Sequence, residues 1–460
     1  MTQKMMNQWF PHFSNIRLLF WNYKENLISP FRKICNLFTF MRSSGNTSLI
    51  IYHQYITNDF FQGGTHMATL KIKESAILNN VREIRARTDS RMIAVIKENG
   101  YGLGLKTFYE ILQKSGIDFY GVSSAKEAME LRALGCKEDI LLLTPELSIK
   151  QCSDLLIQDV IFMLGSSEQA DILKEASART KIIPRIHLAI DTGLGRYGFH
   201  WNALEEIKLC TYGMNIEGCY THFATASSRY ARNIQKQVQR FEHAKDTLSS
   251  MGIHYGITHV SASKAFLKYG DLGCDAVRIG SLLLGCSPNT SDSGFERAVW
   301  MEAAVYMKSF RKKGEEIGYD GRRKLHRDTV VGIVTSGYSD GIFIGGRDGE
   351  ESVIFQLLRN CRRFVFRRNN GKYVEINDQK VPVLGKIGVG HLLLDLTDGD
   401  YLIGDTVKIY VNPLFVPQDV KRCLTGTKTP VSTDTSAVQN QNIRWILTAS
   451  RAGICLNKSV

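Results

Sequence analysis

The sequence lacks the features that mark several classes of protein. Its 460 residues include ten cysteines, but no two of them form a CxxC pair, and no Cys/His cluster has the spacing of a zinc site. No apolar run of about 20 residues is free of charge, so no membrane-spanning helix is expected. The scattered cysteines indicate reduced, mostly buried thiols of a cytoplasmic protein with neither a metal site nor a membrane partner.

A basic block with interleaved aromatic residues, which is typical of nucleic-acid-binding proteins, is also lacking. The formal net charge is +13, but more than half of it lies in residues 1–66 and 424–460. The remaining excess is mild, and the composition, 43% hydrophobic and 22% charged, is that of an ordinary globular protein. We therefore expect no nucleic-acid partner.

The two ends of the sequence do not have the pattern of folded domains. Residues 1–66 show no sustained helical or strand period, and residues 424–460 are rich in Thr, Ser, Gln and Asn, which predicts a disordered tail. Gln62–Gly64 can be encoded by a purine-rich ribosome-binding sequence two codons before Met67. The sequence thus predicts that residues 1–66 are an extension outside any domain and that Met67 is the true start. N-terminal sequencing of the native protein would test this.

Between the ends, strand-like runs alternate regularly with helical patterns. A strand at Thr69–Ile72 and an amphipathic helix at Glu74–Arg87 come first. The eight strand-like runs that follow are Ile93–Lys97, Phe119–Ser123, Ile140–Thr144, Val160–Leu164, Arg185–Asp191, Ile216–Thr221, Ile257–Val260 and Ala276–Ile279. Eight β-α units in about 220 residues are typical of a TIM-type barrel, so residues 67–295 are predicted to form a (β/α)8 barrel of the α/β class.

A barrel of this type carries its chemistry at the carboxyl ends of its strands. The polar residues at the predicted ends are Lys97, Ser123, Thr144, Asp191 to Arg196, His222, Ser261, Ser263 and Arg278. A lysine held against apolar walls loses its proton easily and can form a Schiff base with an aldehyde. Ser263 and Gly280–Ser281 follow the seventh and eighth strands, where such barrels bind phosphate. A phosphate site facing a lysine predicts pyridoxal 5'-phosphate as the cofactor.

After Asn289 the sequence changes to short alternating runs separated by turn signals. A turn of sequence NNGK at 369–372 lies between two such runs and is a strong hairpin signal. Residues 296–423 are therefore predicted to form a separate all-β C-terminal domain, of ordinary domain size.

Taken together, these segments resemble the alanine racemase family, the fold-type III pyridoxal phosphate enzymes, over about Met67 to Arg422. AVIKENGYG resembles the family's cofactor-lysine motif, and HLAIDTGLGRYGF resembles the segment that carries its active-site arginine. THFATA and DAVRIG resemble the motifs that contact the cofactor ring. GEEIGYDG and SGYSDG resemble the two tyrosine motifs of the family's C-terminal domain.

The resemblance implies a set of cofactor-binding residues. Lys97 would be the Schiff-base residue, His222 would stack on the pyridine ring, and Arg278 would bond the ring nitrogen. The residues implied near the phosphate are Tyr101, Ser263, Gly280 and Ser281. An arginine cannot accept a proton from the ring nitrogen or neutralise a pyridinium. The ring would stay unprotonated, which favours simple proton exchange over decarboxylation or transamination.

The resemblance also implies the substrate, the bases and the partner. Arg196, Tyr338 and Val389 would bind an amino-acid substrate. Racemisation removes a proton from one face of the α-carbon and delivers one to the other, and Lys97 and Tyr319 would serve the two faces. In this family the tyrosine acts in the other subunit, so a homodimer with shared active sites is implied. The product would be D-alanine, a peptidoglycan precursor.

The sequence departs from the family pattern at three places. Ala189 stands where many members carry a carbamylated lysine bonded to the active-site arginine. Gly388–Val389–Gly390 replaces the family's Cys-Met-Asp, and a late tyrosine that helps to hold the phosphate has no clear counterpart. These departures leave open a racemase for another amino acid, such as serine.

Two further alternatives come from other functional classes. A fold-type III decarboxylase is disfavoured by Arg278, and a non-catalytic cofactor-binding homologue is disfavoured by the domain that carries Tyr319. Each residue alone also has an ordinary explanation: Lys97 as a lysine at a sheet edge, His222 as a core histidine and Tyr319 as a strand tyrosine. The functional interpretation depends on their joint placement at successive strand ends.

Overall fold

A computed structural model describes residues 68–224, 231–286, 294–319, 323–343 and 372–425. All of them belong to a unit that spans residues 63–460. The predicted extension at 1–66, the NNG of the predicted hairpin turn and residues 426–460 of the predicted tail lie outside the described residues.

Eight parallel strands close into a barrel, which confirms the predicted fold. The barrel strands are Arg91–Val95, Phe119–Val122, Asp139–Leu142, Ile161–Leu164, Arg185–Asp191, Asn215–Tyr220, Ile257–Ala262 and Ala276–Ile279. Each pairs with the next, and the last pairs in parallel with the first. A two-residue strand, Phe199–His200, adds to the edge of Arg185–Asp191 at the carboxyl end. The predicted strand limits agree with these to within two residues.

The barrel closes because its strands are apolar on both faces. Several are buried at every position, as in parallel sheets covered by helices. Their inward side chains form a small interior cluster of Ile93, Phe119, Leu141, Ile161 and Ala276. This cluster fills part of the barrel interior with apolar side chains.

The helices cover the outside of the barrel, and serine caps begin three of them. Among the described residues the helices are Glu74–Arg85, Leu105–Gln113, Ala125–Ala133, Ile149–Ile157, Ser167–Thr180, Ile207–Cys210, Ala231–Ser250 and Ser263–Tyr269. The stretch Lys97–Tyr101 has helical hydrogen bonds but a left-handed backbone. Short 3-10 turns occur at Ser281–Leu284, Tyr338–Asp340 and Pro413–Phe415. The hydroxyls of Ser124, Ser148 and Ser166 each accept a hydrogen bond from the backbone N–H three residues later, which starts the helix at a defined residue. None of the described helices is long and apolar enough to cross a membrane.

A second sheet of eight strands forms the β-domain. Its order is Thr329–Val334, Leu392–Asp395, Gln379–Leu384, Tyr373–Ile376, Thr406–Ile409, Val299–Arg311, Thr69–Lys73 and Lys421–Thr425. Pairing of the first strand in this order with Val299–Arg311 closes six strands into a ring. A small hairpin, Glu316–Ile317 with Arg323–Lys324, stands beside it.

The strand Thr69–Lys73 belongs to this second sheet. It runs antiparallel to Val299–Arg311 and parallel to Lys421–Thr425. The described part of the chain therefore starts in the β-domain, crosses into the barrel through the helix Glu74–Arg85, and returns. The last strand also takes up Leu424 and Thr425 from the segment predicted to be a tail.

Candidate active site

A cavity of about 520 Å³ opens at the carboxyl ends of the barrel strands. Its wall includes all eight predicted site residues of the barrel: Lys97, Tyr101, Arg196, His222, Ser263, Arg278, Gly280 and Ser281. Ser123, Thr144 and Asp191 also line it. The parallel barrel brings these residues together because all its strands end at the same rim.

One predicted strand-end residue does not face the cavity. The strand Ile257–Ala262 runs two residues further than expected, and the hydroxyl of Ser261 donates to the carbonyl oxygen of Gly270 at 2.7 Å. Ser261 is fully buried away from the cavity, so the expectation for it was wrong. Side chains alternate between the two faces of a strand, and Ser261 lies within the strand on the face away from the cavity. Ser263 lies after the strand end, where the alternation no longer applies, and its side chain lines the cavity.

Donors from three segments meet at one end of the cavity. The oxygen of Ser263 accepts hydrogen bonds from the backbone N–H groups of Gly280 (3.1 Å) and Leu282 (3.3 Å), which leaves its own hydrogen free to donate. Gly280 has no side chain for a steric reason, since a Cβ there would overlap the hydroxyl of Tyr101. Burial raises the pKa of Tyr101 to about 12, which keeps that hydroxyl protonated. Two hydroxyls beside a glycine backbone suit a phosphate group.

Arg278 forms the floor of the cavity. Its guanidinium donates to the carbonyl oxygens of His259 and Thr221, each at 2.7 Å, and to Nδ1 of His259 at 2.6 Å. Burial lowers its pKa to about 10, so it remains a cation at neutral pH. The hydrogen bonds described for it all go to neutral acceptors, so none of these partners offsets its positive charge.

A buried histidine pair supports Arg278 from below. Because an arginine only donates, Nδ1 of His259 accepts, and its Nε2 donates to Nδ1 of His187 at 2.8 Å. Burial lowers the pKa of His187 to about 3 and that of His259 well below its ordinary value, so both rings are neutral. A Cβ at Gly218 would overlap the His187 ring. Sequence reasoning missed this pair, although both histidines lie within strands where the inward phase could have indicated them.

His222 places a neutral aromatic ring on the cavity wall. Burial, together with the positive charges of Arg278, Arg196 and Lys97, lowers its pKa to about 3. Its Nδ1 lies 3.4 Å from the Arg278 guanidinium. A flat, uncharged ring in this position can stack on a planar ligand without adding to the positive charge.

Arg196 enters the cavity on a loop that Asp191 organises. The Asp191 carboxylate accepts the backbone N–H groups of Gly193 and Leu194, each at 2.8 Å, and of Gly195 at 3.0 Å. This aspartate therefore has a structural task in the loop. Ala189, one of the three departures from the family pattern, also lines the cavity. The guanidinium of Arg196 lies 5.2 Å from the ring of Tyr197.

The three predicted residues of the β-domain lie together, away from the cavity of their own barrel. Tyr319, Tyr338 and Val389 are 50%, 48% and 51% exposed, and none lines that cavity. The backbone N–H of Tyr338 donates to the carbonyl oxygen of Gly388 at 3.1 Å, which joins the two loops. The ring of Tyr319 lies 5.7 Å from that of His391, a neighbour that sequence reasoning missed. Tyr319, Tyr338, Val389 and His391 are called the tyrosine surface below.

Comparisons with known proteins identify the family of this chain. Residues 72–288 match the family model of the alanine racemase N-terminal domain, and residues 298–427 match that of the C-terminal domain. An amino-acid racemase of Enterococcus faecalis is 32% identical over 287 residues, which cover 60% of this chain and 40% of that protein. Alanine racemase 1 of Caldanaerobacter subterraneus is 28% identical over 362 residues, 75% of this chain and 86% of that protein.

Solved structures show the same fold. The crystal structure of alanine racemase from the D-cycloserine-producing Streptomyces lavendulae aligns with a TM-score of 0.66 at 23% identity, covering 78% of this chain and 97% of that one. The chain spans about two fifths of the length of the Enterococcus relative but most of the length of the others. With both family domains matched in order, the chain belongs to the alanine racemase family.

Proposed function

We propose that this protein is a pyridoxal phosphate-dependent racemase that interconverts L- and D-alanine. The observation that carries the proposal is the conjunction in one cavity of a lysine amine, a phosphate cradle and a buried arginine floor. Membership of the alanine racemase family supports it. The seven cysteines in the described ranges are all unpaired, which supports a cytoplasmic location.

The residues of the cavity fit pyridoxal phosphate. Lys97 would hold it covalently, while Tyr101 and Ser263, with the backbone at Gly280 and Ser281, would hold its phosphate. Arg278 would face the ring nitrogen as a donor that cannot take up a proton. When bound, this cofactor supplies an electron sink that lowers the barrier to removing the α-proton of an amino acid.

The protein's own residues then move the proton. Nζ of Lys97 takes or returns a proton on one face of the α-carbon, and the phenolic oxygen of Tyr319 of the partner subunit serves the other face. The cation of Arg196 holds the substrate carboxylate, and Tyr338 and Val389 contact the substrate from the partner's side. Two bases on opposite faces invert the configuration, whereas a single base would return the proton to the face it came from.

The placement of the tyrosine surface supports a homodimer with shared active sites. Tyr319, Tyr338 and Val389 are half exposed and do not line the cavity of their own barrel, so they are accessible to a second copy. Closed two-fold dimers are the commonest oligomers, and in them each subunit gives the same surface to the other. Each cavity would thus receive one tyrosine surface.

Chiral analysis of single L-amino acids tests the proposal. The purified protein is incubated with pyridoxal phosphate and with alanine, serine or a basic amino acid, and the D-enantiomer is followed over time. We expect D-alanine to appear fastest. Faster turnover of serine would move the substrate assignment to another amino acid and make Ala189 and Gly390 candidates for the specificity change. No turnover of any amino acid would contradict the racemase and favour a non-catalytic cofactor-binding protein.

A further inference from the structure

The backbone after Lys97 has a positive φ at five consecutive residues. The φ angles are +54° at Glu98, +53° at Asn99, +64° at Gly100, +53° at Tyr101 and +84° at Gly102. Only glycine adopts this region freely, and a run of it disfavours side chains such as those of glutamate and tyrosine. Strained backbone of this kind persists only where its surroundings impose it. The contacts around this segment, called the lysine turn below (residues 97–102), show what imposes it.

The lysine turn sets two groups of the cavity at once. Its backbone closes on itself through hydrogen bonds from the N–H of Gly102 to the carbonyl oxygen of Glu98, and of Gly104 to that of Asn99, both at 3.0 Å. Lys97 stands at its start, and Tyr101, near its end, reaches Gly280 across the cavity. A change in the turn therefore moves the amine and the phosphate-side hydroxyl relative to each other.

The barrel restrains one side of the turn through Glu127. Its carboxylate, 8% exposed, accepts the backbone N–H of Asn99 and that of Ser123, each at 3.0 Å. One carboxylate thus ties the lysine turn to the end of the neighbouring strand. The hydrogen bonds are charge-assisted and nearly enclosed, so they resist exchange with water.

A segment of the β-domain chain restrains the other side. Nε of Arg422 donates to the carbonyl oxygen of Gly102 at 2.7 Å, and the side-chain amide of Asn99 donates to Oε1 of Gln418 at 2.6 Å. Gly102 has φ +84°, and a Cβ there would overlap the carbonyl oxygen of Pro413. The segment Pro413–Arg422 therefore packs directly against the turn.

Arg422 also shapes the segment that it holds. Its two terminal nitrogens donate to backbone carbonyl oxygens of Val420 at 2.6 Å, Gln418 at 2.9 Å and Pro417 at 3.2 Å. One guanidinium thus folds the segment before the last strand and joins it to the lysine turn. Because arginine presents five donors in a fixed plane, other side chains cannot replace all of these bonds.

We propose that the segment Pro413–Arg422 positions Lys97, and that Arg422 is the positioning residue, which acts through its hydrogen bond to the lysine turn. The β-domain thereby fixes the geometry of the reactive lysine in its own barrel, in addition to the tyrosine surface that it offers to a partner. This inference rests on the proposed function only for the role of Lys97, and its primary readouts do not require racemisation.

The test compares Arg422→Met with a matched control, Arg132→Met. Arg132 likewise binds backbone carbonyl oxygens, those of Gln158, Glu138 and Asp159, but it lies among the barrel helices. Hydrogen–deuterium exchange of residues 97–104 is measured in the protein loaded with pyridoxal phosphate. Borohydride trapping with mass spectrometry measures the rate at which the cofactor becomes attached to Lys97.

We expect Arg422→Met to speed exchange in residues 97–104 by at least tenfold and to slow attachment to Lys97 severalfold. The turnover number should fall more than KM changes. Arg422→Lys should restore part of each effect, and Arg132→Met should show neither. Gln418→Ala, a milder change at an exposed residue, should shift exchange in the same direction and keeps the test valid if Arg422→Met does not fold.

Equal exchange and attachment in the Arg422 and Arg132 variants, at equal loss of thermal stability, would overturn the inference. If Arg422→Met does not fold, unchanged exchange of residues 97–104 in Gln418→Ala would also overturn the inference. A wild-type protein without racemase activity would contradict the proposed function, while these two readouts would still decide the role of Arg422.

Discussion

At the residue scale, the hydroxyl of Tyr319 can be removed with little change to its surroundings. In Tyr319→Phe the ring can keep its position 5.7 Å from His391. We expect turnover of alanine to fall by about 10²–10⁴-fold, the usual contribution of a positioned acid–base group. The visible absorbance of the bound cofactor should remain unchanged. Steady-state kinetics and an absorbance spectrum measure both, and wild-type turnover in the variant would exclude Tyr319 as a base.

Lys97→Ala tests the other proposed base. Because Lys97 is the amine expected to bind the cofactor covalently, borohydride reduction of this variant should trap no cofactor on the chain. Lys264 also lines the cavity, so Lys264→Ala is the matched control and should still be labelled. Peptide mass spectrometry of the reduced proteins gives the answer. Label at Lys264 in the wild type would show that the wrong lysine has been assigned.

The barrel residues of the cavity could be predicted from the sequence because position at a strand end is enough to place them. Lys97, His222, Ser263 and Arg278 need no further information than the strand pattern and the TIM-barrel rule. His187 and His259 could not be found in this way, because they lie within strands and contact Arg278 or each other from the inside of the barrel. His391 was missed because its contact with Tyr319 joins two separate loops.

At the element scale, three buried histidines make the stability of the fold depend on pH. His187 and His259 lie within barrel strands, and His222 follows the end of another. His187 and His222 have pKa values of about 3 in the fold, compared with an ordinary value of 6.5. Below pH 6.5 the unfolded chain therefore binds protons that the folded chain does not. The free energy of unfolding should fall as the pH drops from 6.5 towards 3.

Urea unfolding at pH 7, 6 and 5 measures this dependence. His187→Gln keeps a side chain that can hydrogen-bond to His259 but removes one buried titrating group, so its stability should depend less steeply on pH than that of the wild type. His200→Gln, at an exposed histidine, is the control and should keep the wild-type slope. Identical slopes in the wild type and His187→Gln would contradict the account.

The elements themselves were predictable from local pattern, but their finer geometry was not. The sequence ENGYGLG predicts a turn after Lys97, and Asn and Gly favour left-handed backbone. Glu127 and Arg422 bond to the backbone of Asn99 and Gly102 within the left-handed stretch, and no local pattern encodes contacts with residues so far along the chain. Local propensity yields to tertiary contacts at such a place.

At the scale of the whole molecule, the sheet of the β-domain contains strands from both before and after the barrel in the sequence. The strand Thr69–Lys73 precedes the barrel in sequence but pairs with Val299–Arg311 and Lys421–Thr425. Its alternating pattern predicts a strand without naming its partners, because pairing is decided by contacts hundreds of residues away. The domain limits proposed from the sequence, 67–295 and 296–423, stay predictions.

In the proposed dimer, each active site combines Lys97 of one subunit with Tyr319 of its partner. The most direct measurement is a hybrid dimer. Lys97→Ala and Tyr319→Phe chains are co-expressed with different affinity tags, and the mixed dimer is purified through both. One of its two sites then contains both intact bases, and the other contains neither.

Each variant alone should keep at most about 1% of the wild-type activity. The mixed dimer should regain about half the activity of the wild-type dimer, because a two-fold dimer has two equivalent sites. Chiral analysis of D-alanine formation measures it. A mixed dimer as inactive as its parents would contradict the shared site and place Tyr319 with Lys97 of its own chain, or outside the reaction.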